Sequence, residues 1–290
     1  MSTAPQPERI GFVGAGKVAQ TLAAAFANAG WTVAAASSRR ADNLDALLQR
    51  VPGARGATDA QAVVDACTLV FLTVTDDEIG RVCEGLTWRR GVAVVHCSGA
   101  TELEALASAR ISGAAVGGFH PIQMFANPDV ALRGLPGCTV GIEAEPPLRG
   151  TLESLARSIG CTPFALPPGA RAAYHASGYY AGPFLIALLE ESVKLWQRFG
   201  ADEAQALRAL APLVRGTLDA VMDGGLARGM GGCVARGDVG TVRRHLDALD
   251  REDPDAGALY RELARRTIPL GLERGTLSPE RAREIETLLS

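Results

Sequence analysis

The segment Ile10 to Ala19, IGFVGAGKVA, constrains this chain more than any other. An apolar run, Ile10 to Val13, ends in Gly14-Ala15-Gly16 and passes straight into a helical pattern that begins Lys17-Val18. A GxGxxA spacing has little weight alone. Between a strand and a helix it marks a βα turn built to hold a dinucleotide. Gly14 permits the tight turn, Gly16 lets a pyrophosphate approach the backbone, and Ala19 keeps helix and strand close. The helix end adds unpaired N–H groups and the positive end of its dipole.

The end of the second strand selects the dinucleotide. An NAD or FAD site places Asp or Glu about 20 residues past the glycines to hold the ribose hydroxyls. Here the strand ends Ala36-Ser37-Ser38-Arg39-Arg40, without a carboxylate. Hydroxyls and guanidiniums suit a 2′-phosphate, so the expected cofactor is NADP(H). The same absence argues against a methyltransferase that uses S-adenosylmethionine. The fourth strand's end, Thr73-Val74-Thr75, completes the expected cofactor site. Asp76 and Asp77 follow it as an expected helix N-cap.

The chain has 290 residues, enough for two domains at roughly 100–200 residues each. Strand and helix patterns alternate through Ile10–Val13, Lys17–Ala29, Trp31–Ala36, Asp42–Arg50, Asp59–Ala66, Leu69–Val74, Val92–Val95, Glu102–Ala109, Ala114–Phe119, Cys138–Ile142, Pro146–Ile159 and Pro163–Leu166. That order predicts an α/β Rossmann domain with a doubly wound, mostly parallel sheet over residues 1–167. After Pro167-Pro168-Gly169 only helical patterns remain, so residues 168–290 are expected to form an all-α domain for substrate binding and dimerisation. Arg171 to Phe199 reads as one long helix, with a bend at Gly182-Pro183. Its apolar stretch Tyr179–Leu189 is too short to span a membrane and reads as buried core.

A formal net charge of -3 leaves no basic field for nucleic acid. The N-terminal MSTAPQPER has no apolar signal core, so a cytoplasmic location is expected. The six cysteines form no CxxC pair and no zinc-ligand spacing with a histidine, and they read as free thiols with no metal site.

In an open α/β sheet, ligands lie beyond the carboxyl ends of the strands. Three such ends carry reactive groups: Thr73 to Asp77, His96-Cys97-Ser98-Gly99, and Phe119-His120-Pro121-Ile122-Gln123. Tyr174-His175-Ala176-Ser177 lies just past the domain break. For each of His96, His120 and His175, a structural role weighs as much as a catalytic one. Reduction of C=O or C=N needs a proton as well as a hydride, and a histidine can supply it. Ser98 could bond the substrate's oxygen or carboxylate, or contact the cofactor. Further on, Asp238 reads as a helix N-cap, with Arg236 and His245 beside it.

With IGFVGAGKVA, FLTVTDDEI, VVHCSGA, GFHPIQMF, YHASGYYAGPFLIALLEES and VARGDVGTVRRHL, the chain resembles the 6-phosphogluconate dehydrogenase-like superfamily. Within it, the chain is similar to the bacterial oxidoreductases that join a Rossmann-like domain to DUF2520, relatives of pyrroline-5-carboxylate reductase and of ketopantoate-type reductases. The resemblance implies NADP-dependent reduction of a small carboxylate-bearing carbonyl or imine, and a homodimer formed through the helical domains. Where β-hydroxyacid dehydrogenases of the superfamily carry a catalytic lysine, this sequence has His175. Its only lysines are Lys17, in the glycine loop, and Lys194, far down the long helix. Gly182-Pro183 and Gly229-Met230-Gly231-Gly232 also depart from the family pattern. The competing readings are an NADP(H)-binding sensor or assembly protein without catalysis, and an enzyme that uses a reduced deazaflavin.

Overall fold

Leu69–Leu72 is buried at every position, and Arg9–Val13 is buried after its first residue. Such continuous burial belongs to central strands covered on both faces by helices. The computed structural model describes residues 8–290, which group into a unit ending at Pro183 and a unit beginning at Phe184.

The first unit runs β1 (Arg9–Val13), α1 (Lys17–Asn28), β2 (Thr32–Ser37), α2 (Ala41–Arg50), β3 (Arg55–Gly56), α3 (Ala60–Ala66), β4 (Leu69–Leu72), α4 (Ile79–Glu84), β5 (Ala93–His96), α5 (Ala107–Ile111), β6 (Ala115–Pro121), α6 (Pro128–Gly134), β7 (Thr139–Ala144), α7 (Leu148–Ser158), β8 (Thr162–Ala165) and α8 (Arg171–Ala181). The strands form one sheet in the order β3-β2-β1-β4-β5-β6-β7-β8. Six strands run parallel, then β7 turns antiparallel to β6 with His120 opposite Gly141, and β8 runs parallel to β7. The chain winds outward from β1 to β3 and returns to β4, so the switch point lies between β1 and β4. Ligand sites in open sheets form there.

On one face, the buried rings of Phe12, Phe26, Phe71 and Phe119 interlock, with Phe12 and Phe71 centroids 5.3 Å apart and Phe71 meeting Phe119 edge-on at 5.7 Å. These residues join β1, β4, β6 and α1 in one cluster. Offset and edge-on pairs add to the gain from burial.

Helix α8 groups with the sheet, so the division between units falls after Pro183, later than the Pro167-Pro168-Gly169 break. The long helix expected over Arg171–Phe199 is two helices, parted at Gly182 (φ -115°, ψ -89°). Pro183 causes the break, because its ring disfavours helical geometry at the preceding residue. The break falls at the expected bend, but the expected burial of Tyr179–Leu189 is not found. Tyr180 and Ile186 are 73% and 58% exposed in the single chain.

The second unit contains α9 (Pro183–Arg198), α10 (Glu203–Gly229), α11 (Gly232–Ala235), α12 (Val239–Glu252), α13 (Pro254–Arg274) and α14 (Pro279–Leu289). Asp202 and Gln205 close a capping box at the start of α10. Val242, Leu246, Ile268, Ile285 and Leu289 form this unit's own core. None of the described helices is long and apolar enough to cross a membrane.

Replacing Phe71 with Ala removes the central ring of the aromatic cluster. The expected cost is about 3–5 kcal/mol, read as a drop in the denaturant midpoint. An unchanged midpoint would refute the cluster's role.

Candidate active site

Three strand ends converge on Gly14. Its N–H donates to the Ser37 carbonyl at 2.9 Å, and its carbonyl accepts from the Thr73 hydroxyl at 2.8 Å. Gly14 has φ +97°, and a Cβ there would stand 2.6 Å from the Thr73 carbonyl oxygen. Only glycine fits, on backbone conformation and on space alike. At Gly16, by contrast, a Cβ would meet nothing within 4 Å, and no side chain caps α1. The first N–H groups of α1 therefore open onto free space, the arrangement that receives a phosphate.

That space is a cleft of about 550 Å³ lined by Gly14, Ala15, Gly16, Ser37, Ser38, Arg39, Arg40, Thr73, Val74 and Thr75. Ten of the expected cofactor residues, drawn from three strand ends, thus share one cleft. Lys17 and Val18 are not among its lining residues. Lys17 starts α1 and is exposed, and Val18 packs against the core. A carboxylate does reach Arg39, but from another loop: Glu78 lies 3.8 Å away. The second strand gave no sign of it, because Glu78 follows β4. Asp76 and Asp77 do not cap a helix, contrary to expectation. They sit inside a short 3-10 turn that begins after Thr75, and that turn has no side-chain cap. The chain tightens into the turn directly after Thr75, so both carboxylates fall past the capping position.

A second cluster lies at the ends of β5 and β6. His120, at the end of β6, meets Tyr174 and His175 of α8 edge-on, with ring centroids 5.5 and 5.6 Å apart. Both histidine rings crowd over Gly99. A Cβ there would overlap the His175 ring and stand 2.8 Å from His120 Nε2. Ser98 is buried beside them. Its hydroxyl oxygen accepts from the N–H groups of Ala100 and Thr101 at 3.2 and 3.0 Å, which closes the turn after β5. Only its proton is left to donate.

Beneath this cluster lies Arg171, fully buried at the start of α8. Its Nε donates to Glu143 of β7 at 2.6 Å, and its Nη1 donates to the Ser98 carbonyl at 3.0 Å. One guanidinium thus fastens α8, β7 and the β5 turn together. It fits because Gly118 has no side chain: a Cβ there would collide with the guanidinium. Neither Arg171 nor Glu143 stands out in the sequence. The pair Gly117-Gly118 inside a strand was the available signal, since glycine there marks a close approach of another group.

Burial, with His175 and Arg171 nearby, lowers His120 to a pKa of about 4. Burial, then Arg171 and His120, lowers His96 to about 3. His96 is completely buried, and neither of its ring nitrogens has a hydrogen-bond partner. It ends β5, with Arg171 and His120 near enough to act on its charge. Burial likewise pushes Tyr174 up to about 12, so its hydroxyl stays protonated. Arg236, Asp238 and His245 belong to the second unit. There Asp238 caps α12, and His245 Nδ1 lies 3.0 Å from the Tyr260 hydroxyl.

Two predictions follow from the buried charges. In the unfolded chain His96 and His120 titrate near 6.5, so between about pH 6.5 and pH 4 the unfolded state binds protons that the folded state does not. Stability is fully present above that window and falls as the pH drops through it. The denaturant midpoint should fall from pH 7 to pH 5, and His96→Phe should flatten the fall. An equal fall in the variant would contradict this. Glu143→Gln leaves Arg171 buried without its counter-ion, at an expected cost of about 3–5 kcal/mol. A change within about 0.5 kcal/mol, the range of an ordinary surface substitution, would show that the pair is not structural.

Residues 2–121 match the family model of a Rossmann-like domain, and residues 138–267 match the model described as a domain of unknown function, DUF2520. No curated protein matches the chain. Among solved structures, the chain is similar to a protein from Thermotoga maritima, at 23% identity and a TM-score of 0.74, covering 92% of this chain and 99% of that one. It is similar to a reductive aminase from Aspergillus terreus in complex with NADPH and ethyl-5-oxohexanoate, at 17% identity and a TM-score of 0.61, covering 98% and 93%. It is also similar to a pyrroline-5-carboxylate reductase from Coxiella burnetii, at 17% identity and a TM-score of 0.57, covering 97% and 99%. At these identities the likeness is one of fold. The two family matches follow one another along the chain, a Rossmann-like domain and then a DUF2520 domain.

Proposed function

We propose that this chain is an NADP(H)-dependent oxidoreductase that reduces a small, carboxylate-bearing carbonyl or imine. The observation that carries the reading is the end of β2. Ser37, Ser38, Arg39 and Arg40 line the same cleft as the glycine turn, and β2 supplies no carboxylate to hold a ribose diol. Arg39, with 86% of its side chain open to solvent, lies 3.8 Å from Glu78, a surface contact that a phosphate can replace. The open space over Gly16 and the uncapped start of α1 fit a pyrophosphate. Two proteins that share this fold are a reductive aminase in complex with NADPH and a reductase of pyrroline-5-carboxylate, a ring with a C=N bond and a carboxylate.

In this reading Gly14, Ala15, Gly16, Lys17 and Val18 form the phosphate turn, and Ser37 to Arg40 hold the 2′-phosphate. Thr73, Val74, Thr75 and Ser98 border the nicotinamide, which supplies hydride when bound. The chain's own task is to orient substrate and manage the proton, and His120, His175 and Ser98 are the groups for it. His96 is left as a structural histidine. The family resemblance adds a homodimer formed through the helical unit. Leu218 and Met222, one turn apart along α10 before its break at Gly225 (φ 78°, ψ 173°), are 61% and 76% exposed, and exposed apolar side chains grouped in this way mark an interface.

Replacing both Arg39 and Arg40 with Ala should weaken NADPH about tenfold or more, from the loss of a charge-assisted bond worth about 1.5–3 kcal/mol. NADH binding should not change. Calorimetric titration with both cofactors reads this, and equal weakening of the two would sink the 2′-phosphate assignment. NADPH that binds tightly but is not oxidised by any keto acid or imine in a panel would replace the enzyme with a sensor or assembly protein. Met222→Arg should shift the molecular mass in light scattering from dimer to monomer. A wild-type monomer would contradict the dimer.

A further inference from the structure

The hydroxyl of Tyr174 has one proton; the Gly141 backbone N–H faces its oxygen, and two atoms of His120 lie at bonding distance. The hydroxyl lies 3.0 Å from the backbone carbonyl oxygen of His120 and 3.1 Å from Nδ1 of the same residue. A carbonyl oxygen cannot donate, so the proton on that line comes from Tyr174. The hydroxyl oxygen then faces Nδ1 with its lone pairs, and the contact is a hydrogen bond only if Nδ1 carries hydrogen. Tyr174 reaches this point because Gly141, opposite His120 in the sheet, has no side chain. A Cβ there would stand 2.6 Å from the hydroxyl oxygen.

We infer that Tyr174 is a positioning residue that holds His120 as its Nδ1–H tautomer, so that the Nε2 lone pair, directed over Gly99, accepts a hydrogen bond from an N–H-bearing substrate group: a protonated imine. The substrate half of this inference rests on the redox reading given above. Its chemistry separates two substrate classes. When hydride adds to the carbon of a protonated imine, the π pair moves to nitrogen, and a neutral amine results with no further proton. When hydride adds to a ketone, the oxygen must take a proton from an acid. A neutral His120 with its lone pair toward the site can accept from the first substrate and has no proton of its own to give the second.

The surrounding charges support a neutral ring. Arg171 and His175 of α8 and His96 of β5 are the titratable or charged neighbours of His120 besides Tyr174. Arg171 and His175 act with burial against a positive charge on it. Tyr174 itself keeps its proton, because burial raises its pKa. The chain's lysines are Lys17 at the start of α1 and Lys194 on α9.

The test is ¹⁵N NMR of histidine-labelled full-length protein with NADP⁺ present, in the wild type and in Tyr174→Phe. The two ring nitrogens of a neutral imidazole give distinct pyrrole-type and pyridine-type signals, and the chain has four histidines to assign. In the wild type, His120 should show a pyrrole-type Nδ1 and a pyridine-type Nε2. In Tyr174→Phe, which removes only the hydroxyl, the proton should move wholly or in part to Nε2. A wild-type His120 with hydrogen on Nε2 overturns the inference whatever the activity. So does a tautomer unchanged in Tyr174→Phe. With NADPH, cyclic imines should be reduced with kcat/KM about tenfold or more above that of matched ketones, the worth of one well-made hydrogen bond. Ketones turned over as well as imines overturn the substrate half. An Nδ1–H tautomer with no turnover of either class leaves Tyr174's role standing and removes the redox reading instead.

Discussion

The approach of β1 to β4 at Gly14 is the constraint on which the first unit depends. The turn after β1 is tied to β2 through the Ser37 carbonyl and to β4 through the Thr73 hydroxyl, and a side chain at Gly14 would push the Thr73 backbone away. Because those three strand ends are fixed to one residue, the start of α1, the serines and arginines after β2 and the turn after β4 must face one cleft. The aromatic cluster of Phe12, Phe26, Phe71 and Phe119 holds β1 and β4 together with β6 on one face of the sheet. The cofactor cleft is therefore a product of the core.

The neighbouring cluster is organised differently, by a buried charge. Arg171 and Glu143 are removed from water together, an arrangement that adds little net stability over apolar packing and costs several kcal/mol if one partner is lost. Its consequence here is positional. The guanidinium fixes the Ser98 carbonyl and the first turn of α8, which brings Tyr174 and His175 over the end of β6. The same charge helps keep His96 and His120 neutral. Gly99, Gly118 and Gly141 each lack the side chain that would displace a ring or guanidinium of this cluster.

What the sequence disclosed followed the range of the interactions. The βα turn, the end of β2 and the cap at Asp238 are local, and they read directly from residue type and spacing. The histidines at strand ends were visible for the same reason. The partition among them was not, because it depends on Arg171, whose counter-ion lies 28 residues away and whose space depends on a glycine in another strand. Glu78 beside Arg39 was hidden likewise. The apolar Tyr179–Leu189 run was misread as core, since periodicity cannot tell a helix face buried in its own chain from one that is exposed in the single chain.

The central claim is that Ser37 to Arg40 bind a 2′-phosphate. ³¹P NMR of NADP⁺ titrated with the protein tests it directly, because the 2′-phosphate and the pyrophosphate give separate signals. The account predicts that both shift on binding, and that the 2′-phosphate's second ionisation, near pH 6 when free, moves lower as arginines and hydroxyls stabilise the dianion. A pyrophosphate signal that shifts while the 2′-phosphate titrates as it does in free solution would contradict it.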